Sequence, residues 1–192
     1  MRHRPFRLAL DLLRHPHSGW RAIAAQPDPP GRLFVHLILP GATVSALAAT
    51  AGVAWFNRDW NADFGYSAPP QQALAIGLAV WLFSTLYPLL LAWVFARCAA
   101  LYRGGGNYAA ALALAAHGTV PVWIAGACLF FMPAVLLVMP AFLYACLLYS
   151  NGASTLLGVR EDDTAQLVAV TLLLTAILMS ALGMAGAALR IL

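Results

Sequence analysis

From Gly104 to Val159 the chain runs without a single Asp, Glu, Lys or Arg. No ordinary water-soluble domain carries such a stretch, because about a quarter of its residues are charged. A membrane-spanning helix needs about 20 mostly apolar residues, so this stretch holds two crossings and a tight turn. Three further uncharged stretches flank it: Leu33–Asn57, Phe64–Ala96 and Thr164–Leu189. Proline is tolerated in the first turn of a helix and not deep inside one, so Pro133 divides the longest stretch. The expected spans are 33–56, 72–96, 108–131, 134–157 and 164–189. Composition agrees, with 62% hydrophobic and 9% charged residues. A membrane β-barrel would show short alternating segments, which are absent. The expected fold class is all-α: a polytopic membrane protein whose five-helix transmembrane domain, 33–192, follows a cytoplasmic segment, 1–32.

Orientation follows from the arginines. All eleven basic residues are Arg, and six of them occur no later than Arg32. Arg97 and Arg103 follow span two, and Arg160 follows span four. Arg58 follows span one beside Asp59 and Asp63, and Arg190 stands in the tail. A cytoplasmic N-terminus puts nine Arg inside and two outside, as the positive-inside rule favours. Five crossings then place the C-terminus in the periplasm of a bacterial inner membrane. The net charge of +4 does not point to nucleic acid, because no base-reading fold is present.

The first residues have their own pattern. Phe6, Ala9, Leu10 and Leu13 recur with helical spacing, and Arg4, Arg7, Asp11 and Arg14 share another face. This is a short amphipathic helix suited to the headgroup region, with Arg4, Arg7 and Arg14 as membrane-surface contacts. A cleavable signal peptide would need a longer apolar core than Leu8–Leu13, which Asp11 interrupts. Pro16 ends the helix. Trp20 is expected at interfacial depth, as a further surface contact. The run Gln26-Pro27-Asp28-Pro29-Pro30-Gly31 is a stiff break before span one.

The order of motifs resembles a known family. Trp20-Arg21-Ala22-Ile23 precedes the Pro-rich break, and Leu37-Ile38-Leu39-Pro40 opens span one. Gly105-Gly106-Asn107-Tyr108 precedes span three. His117-Gly118-Thr119-Val120-Pro121-Val122-Trp123, Leu143-Tyr144-Ala145-Cys146-Leu147-Leu148-Tyr149 and Gly158-Val159-Arg160-Glu161-Asp162-Asp163 follow. This arrangement is similar to the bacterial branch of the Yip1 family of five-span membrane proteins. The resemblance implies a cytoplasmic N-terminus and a helical bundle without catalytic activity.

Ionisable groups within hydrocarbon are functional candidates by default. His36 lies near the start of span one, and His117 lies about 13 Å into span three at the helical rise. His117, Pro121 and Tyr144 make the candidate intramembrane polar site. The bland reading of His117 is a neutral ring hydrogen-bonded between helices; the sharper one is a proton or ligand site. A bis-His haem needs two His at matching depth, and these are offset by about 7 Å on the same rise. Zinc lacks a third ligand with suitable spacing. Cys98, Cys128 and Cys146 read as small buried hydrophobes. Gly104-Gly105-Gly106 is a flexible turn rather than a phosphate loop, which needs a Lys. No cofactor or metal is therefore expected.

Glu161, Asp162 and Asp163 are either a helix cap for span five or a docking site for a cytoplasmic protein. Calcium would need more oxygens than this loop supplies. The pairs Gly41/Ser45, Ala48/Gly52 and Gly183/Ala187 allow close helix contact, within the bundle or with another protein. The leading functional expectation is a non-enzymatic protein that interacts with other membrane proteins, or with a second copy, or organises the bilayer. The alternative is a small transporter or channel subunit with a path near His117, suggested by Tyr87-Pro88, Pro121, Pro133 and Pro140.

Overall fold

The computed structural model describes residues 4–56 and 69–188, and every regular element among them is helical. Arg58, Asp59, Asp63 and Arg190 lie outside the described residues. Helix α1 (Arg4–Arg14) is the amphipathic helix expected. Ala9 and Leu12 are fully buried, whereas Arg7, Asp11 and Arg14 are exposed. Pro16 starts a second helix, α2 (Pro16–Ala25), in the first-turn position that needs no N–H. The two form a tight hairpin. A Cβ on Gly19 would stand 2.8 Å from the Leu12 Cα, so only glycine permits this approach.

Five helices are long and apolar enough to cross a membrane. Span one joins α3 (Pro30–Leu33), a π-helical turn over Phe34–Ile38, α4 (Leu39–Ala51) and a second π turn over Gly52–Phe56. Pro40 has no N–H for the carbonyl four residues back, and the widened turn just before it accommodates the ring. Span two is α5 (Pro70–Leu101), 32 residues with Pro88 inside. It outruns the expected 72–96 at both ends, and its length of about 48 Å exceeds a hydrocarbon core of about 30 Å.

Span three begins as expected but is broken. Asn107 caps α6 (Tyr108–Gly118), its side chain accepting from the Ala109 N–H at 2.9 Å. The chain turns at Thr119 and resumes as α7 (Val120–Ala127), with Pro121 in its first turn. Pro121 therefore stands at a restart rather than inside a continuous helix. After a turn, a 3-10 segment over Met132–Leu137 contains Pro133, and α8 (Val138–Leu157) forms most of span four. Span four runs Val135–Leu157, within a residue of the expected 134–157, with its first residues in the 3-10 segment. Gly158, at φ 66°, supplies the left-handed residue that ends it. Span five is α9 (Glu161–Ala188).

Span three is the centre of the molecule. Its apolar window is 78% buried, against 22–39% for the other four. Spans one, two and four pack on it, helix α2 packs on span four and meets span three through Trp20, and span five packs on spans two and four. The small residues of span one serve this packing. The Ser45 hydroxyl donates to the Gly41 carbonyl one turn back at 3.0 Å and lies 3.3 Å from the Trp123 carbonyl, and a Cβ on Gly126 would lie 2.6 Å from that hydroxyl. The turn expected to be flexible is packed instead. The Gly105 N–H donates to the Leu157 carbonyl at 2.6 Å, and a Cβ on Gly104 would lie 2.7 Å from that same oxygen.

Candidate functional site

The break in span three creates a buried polar node. His117 is the last polar side chain before the break and is 1% exposed. Its Nδ1 lies 2.9 Å from the Ala113 carbonyl, one turn back in its own helix. A carbonyl only accepts, so that nitrogen carries the proton and Nε2 is left as an acceptor. Nε2 has no partner among the described residues. The expected hydrogen bond between helices is thus replaced by one inside α6.

Trp20 is the second member. Its sequence context places it at the membrane surface, and the structure corrects this: Trp20 is 0% exposed. Its ring meets that of His117 edge to face, with centroids 6.5 Å apart. It lies against Gly152 of span four and Leu114 of span three, where a Cβ on Gly152 would stand 2.6 Å from the indole. The hairpin of α1 and α2 carries Trp20 inward, which helical spacing alone could not reveal. Its Nε1–H is also without a partner among the described residues. A donor and an acceptor are thus both left open at one buried contact.

Asp28 is the residue that sequence reasoning missed. In the sequence it reads as part of a stiff break, yet it is 6% exposed. Its carboxylate is 3.2 Å from the Arg32 guanidinium and within electrostatic reach of His117. The available signal was the i, i+4 spacing of an acid before a base at a helix start.

On the other side of the break, hydroxyls form a directed chain. Thr119 donates to the Ala115 carbonyl at 2.7 Å, so Tyr149 must donate to Thr119, 2.8 Å away. A Cβ on Gly118 would fall on the Tyr149 ring, which explains the glycine. Tyr144, expected beside His117 and Pro121, instead ties the N-terminal hairpin to span four: its hydroxyl donates to the Leu13 carbonyl at 2.7 Å. Pro121 is buried in the first turn of α7, just beyond Thr119.

The remaining candidates lie apart from this node. Arg7 and Arg14 are exposed on α1, and Arg4 opens that helix. Glu161, Asp162 and Asp163 form the first turn of α9. Among the described residues none of the three carboxylates accepts a hydrogen bond from a backbone N–H. They lie inside the helix rather than at its cap position, so their charge meets the helix dipole without a capping bond. Arg160 and Asp162 approach to 3.6 Å, both largely exposed, and such a pair contributes little. His36 is exposed and borders an apolar groove of about 260 Å³ between span one and α7. A cavity of about 430 Å³ lies among spans two to five, bordered by Ser84, Tyr87 and Thr119. His117 borders neither. Among the described residues no three His, Cys, Asp or Glu gather to hold a metal ion.

Chemically, the node can seat and hold the N-terminal hairpin. It brings no nucleophile together with a base. No curated protein and no solved structure matches this chain. The family model for the Yip1 domain matches residues 10–184, from α1 through nearly all of span five, and so takes in the node, the break and the acidic turn. A helical chain with five apolar spans and a match of that extent is a multi-pass membrane protein belonging to the Yip1 family.

Proposed function

We propose that this protein is a non-enzymatic component of the bacterial inner membrane that binds other membrane proteins or a second copy of itself. Its N-terminus and acidic turn face the cytoplasm, and its C-terminus faces the periplasm. The observation that carries this reading is the seating of the N-terminal hairpin. Trp20 fills the space beside His117 that a transport path would need, and His117 borders neither of the cavities near span three. The buried groups therefore support a fixed cytoplasmic platform, with Arg7, Arg14, Glu161 and Asp162 exposed on it and Asp163 half-buried.

The test has two arms. Purified protein is reconstituted into sealed liposomes containing a pH-sensitive dye, and native membranes are cross-linked with a carboxyl-reactive reagent. The platform reading expects no proton flux above empty liposomes and discrete cross-links from Glu161–Asp163 to another membrane protein or a second copy. Flux that disappears in His117→Phe would overturn it in favour of transport.

A further inference from the structure

The 430 Å³ cavity has the size of small-molecule sites, about 300–1,000 Å³. Its walls are apolar side chains such as Val80, Phe83 and Phe142, with a few hydroxyls. The hydroxyls are not equivalent. The Thr119 proton is committed to Ala115 and the Tyr149 proton to Thr119. Tyr87 stands beside Tyr149. Ser84 differs: its oxygen accepts from the Trp123 indole N–H at 2.9 Å, while its own O–H has no acceptor among the described residues. Trp123 thus fixes the Ser84 oxygen and leaves its proton free to serve a ligand.

Depth narrows the ligand. Ser84 and Tyr87 bracket the midpoint of span two, which runs from Pro70 to Leu101. A helix of about 48 Å overhangs a hydrocarbon core of about 30 Å by about 9 Å at each end, so both residues lie about 12 Å below the nearer interface, close to the mid-plane. The ester carbonyl of a phospholipid is tethered at the interface and does not reach that depth. A molecule that dissolves wholly in hydrocarbon does. Phe142 of span four and Ala176 of span five border the cavity and are exposed, so its mouth opens sideways to lipid.

We propose that this cavity is a binding site for a lipid-soluble carbonyl compound of quinone type, which enters laterally from the bilayer and accepts a hydrogen bond from Ser84. The proposal concerns binding alone and does not depend on the platform reading above.

The experiment uses the full chain in phosphatidylcholine nanodiscs. Two probes are titrated, a decyl-substituted benzoquinone and decylbenzene, which lacks the carbonyls, with empty nanodiscs subtracted. Saturable one-to-one binding of the quinone is expected, with a clear preference over decylbenzene. Ser84→Ala should lower quinone affinity about fivefold, the worth of one neutral hydrogen bond, and leave decylbenzene unchanged. Ser84→Thr should restore the preference. Ala176→Phe, placed at the mouth, should block both probes. Quinone uptake no greater than in empty nanodiscs overturns the proposal, and so does an equal preference in Ser84→Ala. A phospholipid retained through purification and not displaced by the quinone overturns it in favour of an acyl chain.

Discussion

Gly152 and Trp20 fit each other because one lacks the atom that the other's ring would strike. Adding a methyl group at Gly152 must push the indole or Leu114 aside, and overpacking of this kind costs about 1–3 kcal/mol. Trp20→Ala leaves a void in the same place and costs about 3–5 kcal/mol. The two residues share one contact, so their effects should not add. Thermal unfolding in detergent of Gly152→Ala, Trp20→Ala and the double variant checks this; strict additivity would separate the two sites. The acidic turn behaves differently. Asp162 and Asp163 make no capping bond, so replacing both with Asn removes their interaction with the helix dipole, at the low end of about 0.3–1 kcal/mol each for exposed groups, and the weak exposed pair of Asp162 with Arg160. The expected result is a nearly unchanged melting temperature with loss of the cross-links from this turn. A large drop in stability with cross-links retained would favour a purely structural role. Trp20 and Asp28 also mark what residue types alone leave hidden. An aromatic residue after a basic helix fits the membrane interface, and an Asp between prolines fits a solvated loop. Trp20 is buried because later elements, spans three and four, arrive to cover it, and Asp28 is held beside Arg32 at the start of span one.

At the scale of elements, the five crossings are legible in the sequence because hydropathy and charge act over a whole span at a time, about 20 residues. The ends are less legible. Span two continues past Ala96 through Arg97 to Leu101, since a helix does not stop where the hydrocarbon does. Span four yields its first residues to a 3-10 segment around Pro133. The break at Thr119 is signalled by Pro121, but its consequence depends on Tyr149 packing against Gly118. The N-terminal hairpin is the element whose role differs most from its sequence reading. The buried face of α1 means that Ala9 and Leu12 are occupied by protein, so electrostatics must carry most of any attachment to lipid. Changing Arg4, Arg7 and Arg14 to Gln should therefore remove about 1 kcal/mol per Arg of preference for anionic over neutral bilayers. A fluorophore at Leu10, itself 42% exposed, reports this through headgroup quenchers. Equal quenching in both bilayers, before and after the change, would refute it. Tyr144→Phe tests the hairpin from the other side. It removes the hydrogen bond to Leu13, worth about 1 kcal/mol. Hydrogen exchange over residues 8–14 should quicken about fivefold, with exchange in the core of span three unchanged.

For the whole molecule, the proposed orientation rests on the five apolar spans and the arginine distribution. An odd number of spans puts the ends on opposite sides, whatever the orientation. The six Arg up to Arg32 then favour a cytoplasmic N-terminus, because short segments rich in Arg are retained on that side. The packing adds an independent constraint. Gly104 and Gly105 contact the end of span four at Leu157, and α2 packs on that same span. The turns after spans two and four thus meet at one end of the bundle, and the N-terminal hairpin lies along span four from Gly152 to Tyr144. A topology placing the two turns on opposite sides of the membrane would break these contacts. A reporter active only outside the cytoplasm, fused after Leu192, should be active, and the same reporter inserted at Gly105 should be silent. A cysteine placed at Asp162 should be labelled by an impermeant reagent only after the membrane is opened. A cytoplasmic C-terminus with Gly105 also cytoplasmic would mean that one of the five helices lies along the membrane instead of crossing it, whereas a cytoplasmic C-terminus with Gly105 outside would invert the orientation.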